Sequence, residues 1–187
     1  MKAARVVGVG LVAIVFACTV LGADDQIRLP EELTAIVQLE GGRIPGTRRL
    51  QVSIRIDSVT PREAALQLAG LARNGQGNLL AALKGTSNGR IILGVVEYPL
   101  NLVAVKSTGG RRRYVAVTAR PFGIYEVDTG QPSLNYPFGV MSFEVDDRGW
   151  GEGQVFPAAS ISVTDDGSIV VQNYSDTPGR IIEVRRK

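Results

Sequence analysis

The chain has 187 residues, 44% hydrophobic and 21% charged, with 21 Lys and Arg against 18 Asp and Glu and no His. Its one Cys is Cys18, so beyond that position disulfides, thiol chemistry, imidazole acid–base chemistry and the commonest transition-metal ligands are all excluded. Lys2 and Arg5 are two of the 21 bases, so the segment after Ala23 carries 19 basic against 18 acidic groups; a segment so close to neutral has no global electrostatic footprint for nucleic acid.

The N-terminus places Lys2 and Arg5 before an uncharged apolar run from Val6 to Ala23. A basic start, an apolar centre and small residues near Gly22 and Ala23 form the pattern of a secretory signal peptide, residues 1–23, with Asp24-Asp25 opening the mature chain. Two other readings stay open. The uncharged run is about the length that spans a bilayer, as a retained anchor would. Val15-Phe16-Ala17-Cys18 loosely resembles a bacterial lipobox, which would lipidate Cys18, although bulky Phe16 departs from that pattern. Membrane contact is expected only through an uncleaved signal or through lipidation at Cys18. Residues 24–187 have the length of one domain with one substantial core.

Within that domain, Leu33 to Leu39 reads as a strand, and Gly41, Gly42, Pro45 and Gly46 mark a loop. Arg49 to Asp57 alternates apolar Leu50, Val52, Ile54 and Ile56 with polar neighbours, the signature of a half-buried strand. Thr60-Pro61-Arg62-Glu63 predicts a helix start, with Thr60 as the capping side chain, Pro61 in the first turn and Glu63 reaching back. The helix ends at Asn74-Gly75, and a second short helix around Leu79 to Leu83 stops at Gly85.

From Gly89 onward the pattern is β. Arg90 to Val96, apolar on both faces, predicts a central strand. Leu102 to Lys106 and Arg112 to Thr118 flank Ser107-Thr108-Gly109-Gly110, a hairpin signal. Ile124 to Val127 and Gly139 to Val145 follow as strands. Ala159 to Thr164 and Ser168 to Asn173 flank Asp165-Asp166-Gly167, a second hairpin, and Gly179 to Val184 is the last strand. The expected fold class is α+β: a mainly antiparallel sheet of about nine strands, sandwich or open barrel, with one inserted helical pair near residues 61–84.

The sequence contains no nucleophile elbow, phosphate loop, dinucleotide fingerprint or paired-histidine metal motif. No cofactor and no metal are implied. Glu126, Asp128, Glu144, Asp146, Asp147 and Glu152 fall in one stretch and could supply a carboxylate pair for glycoside hydrolysis; as outward residues and a turn they need no chemistry. Asp165-Asp166-Gly167 lacks the acidic spacing of a calcium loop and reads as a turn. Arg111-Arg112-Arg113 is the densest basic cluster; it could meet phosphate, acidic polysaccharide or lipid headgroups, or simply keep a hairpin soluble.

The segment from Arg120 to Phe156 holds seven of the ten aromatic residues that follow Ala23. Its loops, with Gly149-Trp150-Gly151-Glu152-Gly153 among them, are the expected ligand region. The candidate binding residues are Arg120, to pair with an anionic group, Tyr125, Tyr136 and Trp150, as stacking surface for a sugar or apolar ligand, and Glu152. The leading expectation is an exported, periplasmic or extracellular bacterial envelope protein that binds a ligand or an envelope partner without catalysis. The alternatives are a carboxylate-dependent hydrolase acting on glycans and a structural subunit of an envelope assembly.

Overall fold

The computed structural model describes residues 14–16 (backbone only), 27–40, 46–123, 135–164, 169–174 and 177–187. Eleven strands in these residues form one antiparallel sheet, curled into a half-barrel, with two helices packed outside it. The α+β class with an inserted helical pair is therefore the observed one, and of the two expected sheet forms the open barrel is adopted.

The first strand, β1 (Ile14–Phe16), lies in the apolar run read as a leader. It pairs with a strand far along the chain, Ile14 opposite Val171 and Phe16 opposite Ile169. The expected strands at Leu33 and Arg49 are β2 (Glu31–Glu40) and β3 (Thr47–Ile56), paired over their whole length from Glu31–Ile56 to Glu40–Thr47.

The helices are α1 (Arg62–Arg73) and α2 (Gln76–Lys84), ending at Asn74 and Gly85 as expected. The start of α1 is different. Its N-cap is Pro61, with no side-chain cap. Thr60 is drawn instead to the sheet: its amide donates to Val103 O at 2.8 Å, and its hydroxyl accepts from Val103 N at 3.0 Å. Two hydrogen bonds to a strand edge that would otherwise stand open outweigh one helix cap.

Arg90 to Val96 is also corrected. It is not one central strand but a hairpin, β4 (Gly89–Leu93) and β5 (Val96–Leu100). Gly94 turns with φ 62° and Val95 stands 98% exposed. Apolar residues on both faces of a short run concealed the turn between them.

The hairpin β6 (Leu102–Thr108) and β7 (Arg111–Thr118) turns at Gly109-Gly110 as expected. Next come β8 (Phe138–Val145), β9 (Trp150–Val163), β10 (Ile169–Asn173) and β11 (Gly179–Arg186). The expected strand Ile124 to Val127, Tyr125, most of the loop from Thr129 and the turn at Asp165-Asp166-Gly167 lie outside the described residues. Gly149-Trp150-Gly151-Glu152-Gly153, expected as loop, instead opens the longest strand from Trp150 onward, and this length lets β9 pair first with β11 and then with β10.

The strand order is β5-β4-β3-β2-β11-β9-β8-β7-β6. Side chains alternate across it, so Tyr114, Ala116, Met141, Phe143 and Val145 fall in the core on the concave side. Val115, Val117, Val140, Phe156 and Ile161 fall in a second core on the other face, under Leu68, Leu79 and Leu83 of the helices. Asn101, almost fully buried, secures the end of α2: its side-chain amide donates to Leu83 O and Thr86 O and accepts from Ala119 N. The side chain of Gln76 forms two bonds to the backbone of Ile161, capping the β9 edge where β8 has ended.

Candidate functional site

The helices cover only part of the outer face. Toward the Val145 end of β8 that face is polar and open, and it forms a cleft of about 590 Å³. Arg111 and Arg113 from β7, Ser142 and Glu144 from β8, Trp150, Glu152 and Gln154 from β9, and Ile182 from β11 line it, with Asp146 at the rim. Strand alternation alone places them: residues two apart share a face, so Ser142 and Glu144 point with Trp150, Glu152 and Gln154. The register sets Arg113 opposite Glu144, Glu144 opposite Glu152, and Ser142 opposite Gln154.

The floor depends on two glycines. A Cβ on Gly151 would come within 1.8 Å of Glu144 O, and one on Gly153 within 2.1 Å of Ser142 O. No larger residue fits where β9 closes so tightly on β8, and the close approach lets the sheet curl beneath the cleft.

Trp150 is 49% exposed. The Arg185 guanidinium lies 3.9 Å from the centroid of its ring, which fixes the indole in place. The turn before it is held by Asp146, whose carboxylate accepts from Arg148 N at 3.0 Å and Trp150 N at 2.9 Å. Asp146 is thus a positioning residue for Trp150.

Arg111-Arg112-Arg113 is divided by the pleat. Arg113 bonds Glu144 through Nε at 2.6 Å and through a second nitrogen, and Arg111 stands 3.9 Å from the same carboxylate. Arg112 turns to the other face, where it lies 4.0 Å from Glu31.

Glu31 marks a second polar centre, at the end of the concave core. It is 5% exposed, accepts from the Tyr114 hydroxyl at 2.8 and 3.0 Å, and accepts from Arg186 Nε at 2.7 Å. Burial pushes the Tyr114 phenol up to about 12, with the charge of Glu31 and its hydrogen bond acting in the same direction. This cluster joins β2 and its neighbour β11 to β7, which lies four strands from β2 along the sheet, across the concave core. Beside it a smaller depression of about 280 Å³ lies between the β6–β7 and β8–β9 turns, lined by Ser107, Arg112, Asp147 and Arg186.

Of the expected site residues, the structure brings Trp150 and Glu152 together in the cleft. Arg120 lies elsewhere: its guanidinium sits 4.3 Å from the Tyr98 ring centroid, and its carbonyl accepts from Gly139 N. Gly139 is five residues up β8 from Glu144, about 17 Å at strand rise. Tyr136 is at that far end too, edge-on to Tyr174 at 5.3 Å. Tyr125, Glu126 and Asp128 lie outside the described residues. Phe122, Phe138, Phe143 and Phe156 are core residues. The sequence reading missed Ser142, Gln154 and Glu31. For the first two a signal existed: their two-residue spacing from Glu144 and Glu152 becomes informative once Trp150 to Gln154 is recognised as strand. Glu31 carries no such signal, since its partners are 83 and 155 residues away.

No described helix is long and apolar enough to cross a membrane, and the described residues contain no cluster of potential metal ligands. No protein-family model, curated protein or solved structure matches the chain.

Proposed function

We propose that this is an exported envelope protein whose domain, residues 24–187, binds a ligand without catalysis in the cleft built around Trp150 and Glu152. The observation that carries this reading is Trp150 itself. It is the chain's one tryptophan, it stands half-exposed on a stretch of sheet that the helices leave uncovered, and polar side chains surround it. A large aromatic held rigid yet half in water supplies contact area at little entropic cost. The basic start and apolar run at residues 1–23 support export.

The glycan-hydrolase alternative draws on one observation, the placement of Glu144 directly opposite Glu152. Glu144 is engaged by two arginines and Glu152 is exposed, so neither has the apolar surroundings that distinguish a general acid from its partner. Binding is the better-supported reading.

The test is Trp150→Ala. The variant should fold, losing about 1 kcal/mol or less because the indole is half-exposed. Small molecules that raise the melting temperature of the wild-type domain in a thermal-shift screen should lose their effect on the variant. Unfolding of the variant, or undiminished shifts, would place the function elsewhere.

A further inference from the structure

We infer that the ligand is a neutral saccharide, with Trp150 as the stacking platform and Ser142, Glu152 and Gln154 as the hydroxyl-binding set; this rests on the reading of the cleft as a ligand site.

Charge supplies the first argument. The lining includes Arg111 and Arg113 but also Glu144, Asp146 and Glu152, a formal excess of one negative charge. Both arginines already face Glu144. A phosphate, a polyuronate or an acidic lipid headgroup would have to displace that carboxylate while meeting Glu152. The cleft therefore selects against the anionic partners that Arg111-Arg112-Arg113 suggests as a sequence.

Unused hydrogen-bonding capacity supplies the second. Ser142 is 7% exposed and lines the cleft, yet its hydroxyl has no hydrogen bond among the described residues. Neither do the Glu152 carboxylate and the Gln154 amide. None of the three is a buried orphan: these polar groups face the cleft, where water or a ligand can reach them. A hydroxyl, a carboxylate and an amide together can both donate to and accept from the alcohols of a sugar ring. They sit on adjacent antiparallel strands, about 5 Å apart across the sheet and about 7 Å apart along it, so one ring can meet several at once.

The third argument is the platform. The indole, backed by the Arg185 guanidinium, offers an apolar surface bordered by polar groups. An apolar ligand would strand Ser142, Glu152 and Gln154 without partners, at a cost that a polyhydroxylated ligand avoids.

The single tryptophan makes the experiment direct, because the chain's indole emission reports on the cleft alone. The protein is titrated with chitohexaose and cellohexaose, with oligogalacturonate as the polyanionic probe and an anilinonaphthalene sulfonate dye as the apolar one. A saturable change in emission with a neutral oligosaccharide, weakened about tenfold or more in Gln154→Leu and Glu152→Gln variants of unchanged melting temperature, is the expected result. A response to oligogalacturonate or to the dye, with none to the neutral sugars, would overturn the saccharide assignment and leave the cleft as a binding site. No response to any of the four probes would overturn both.

Discussion

Two carboxylates, Glu31 and Glu144, face arginines drawn from the same tripeptide, yet they serve different ends. Glu31 is 5% exposed and bonded to Tyr114 and Arg186 in the concave core. The side chain of Glu144 is 33% exposed and holds Arg113 on the open outer face. The pleat separates them: Arg112 goes inward, Arg111 and Arg113 outward. Burial turns one group into a fastening of the barrel and leaves the other as part of a solvated surface pair. A buried charge cannot lose its partner cheaply, whereas an exposed pair exchanges with water at little cost.

This contrast can be broken most forcefully at Glu31. Glu31→Ala leaves the buried Tyr114 hydroxyl and the half-buried Arg186 without their acceptor, and should destabilise the domain by on the order of 3 kcal/mol, read from chemical denaturation. Ser142, Glu152 and Gln154 lie on the opposite face, so probe binding at low temperature should survive in the fraction that remains folded.

Alkaline pH tests the same fastening more gently. Below about pH 10 both the folded and the unfolded chain hold the Tyr114 proton, and stability is insensitive to it. Between about pH 10 and 12 the unfolded chain gives up that proton while the folded one, with its phenol pushed up to about 12, keeps it. Stability must therefore fall through this window, by on the order of 2–3 kcal/mol in all. Tyr114→Phe should be less stable at neutral pH but show a shallower decline from pH 10 to 12. Parallel declines in wild type and variant would mean that Tyr114 is not the group responsible.

The smallest effect belongs to the outer pair. Glu144→Gln should cost less than about 1 kcal/mol, and 0.5 M salt should erase most of the difference. A larger loss that resists salt would show Glu144 to be structural in the way Glu31 is.

Much of this architecture was legible in the residues. The alternation from Leu50 to Ile56, the glycines after Thr108 and the stops at Asn74 and Gly85 are local signals, and local sterics answer them. Where expectation and structure part, a distant partner intervened. Thr60 caps no helix because Val103, 43 residues on, takes its hydroxyl. Gly149 to Gly153 looks like loop because glycine is costly in a strand; from Trp150 it is strand, and β8 approaches Gly151 and Gly153 so closely that no side chain could be tolerated at either. Arg120 and Tyr136 seemed to belong with Trp150 by proximity in sequence, but a strand carries its two ends apart, and Arg120 and Tyr136 stand at the far one.

The residues alone thus determined the class of fold, the absence of thiol and imidazole chemistry beyond Cys18, and the prominence of Trp150, because composition and short-range pattern suffice for each. Only the tertiary structure decided that Trp150 stands among Ser142, Glu144, Glu152 and Gln154, and that Glu31 is locked inside the barrel. Both depend on the register between strands and on how the sheet curls, and these are set by contacts summed over the whole chain rather than by any segment of it.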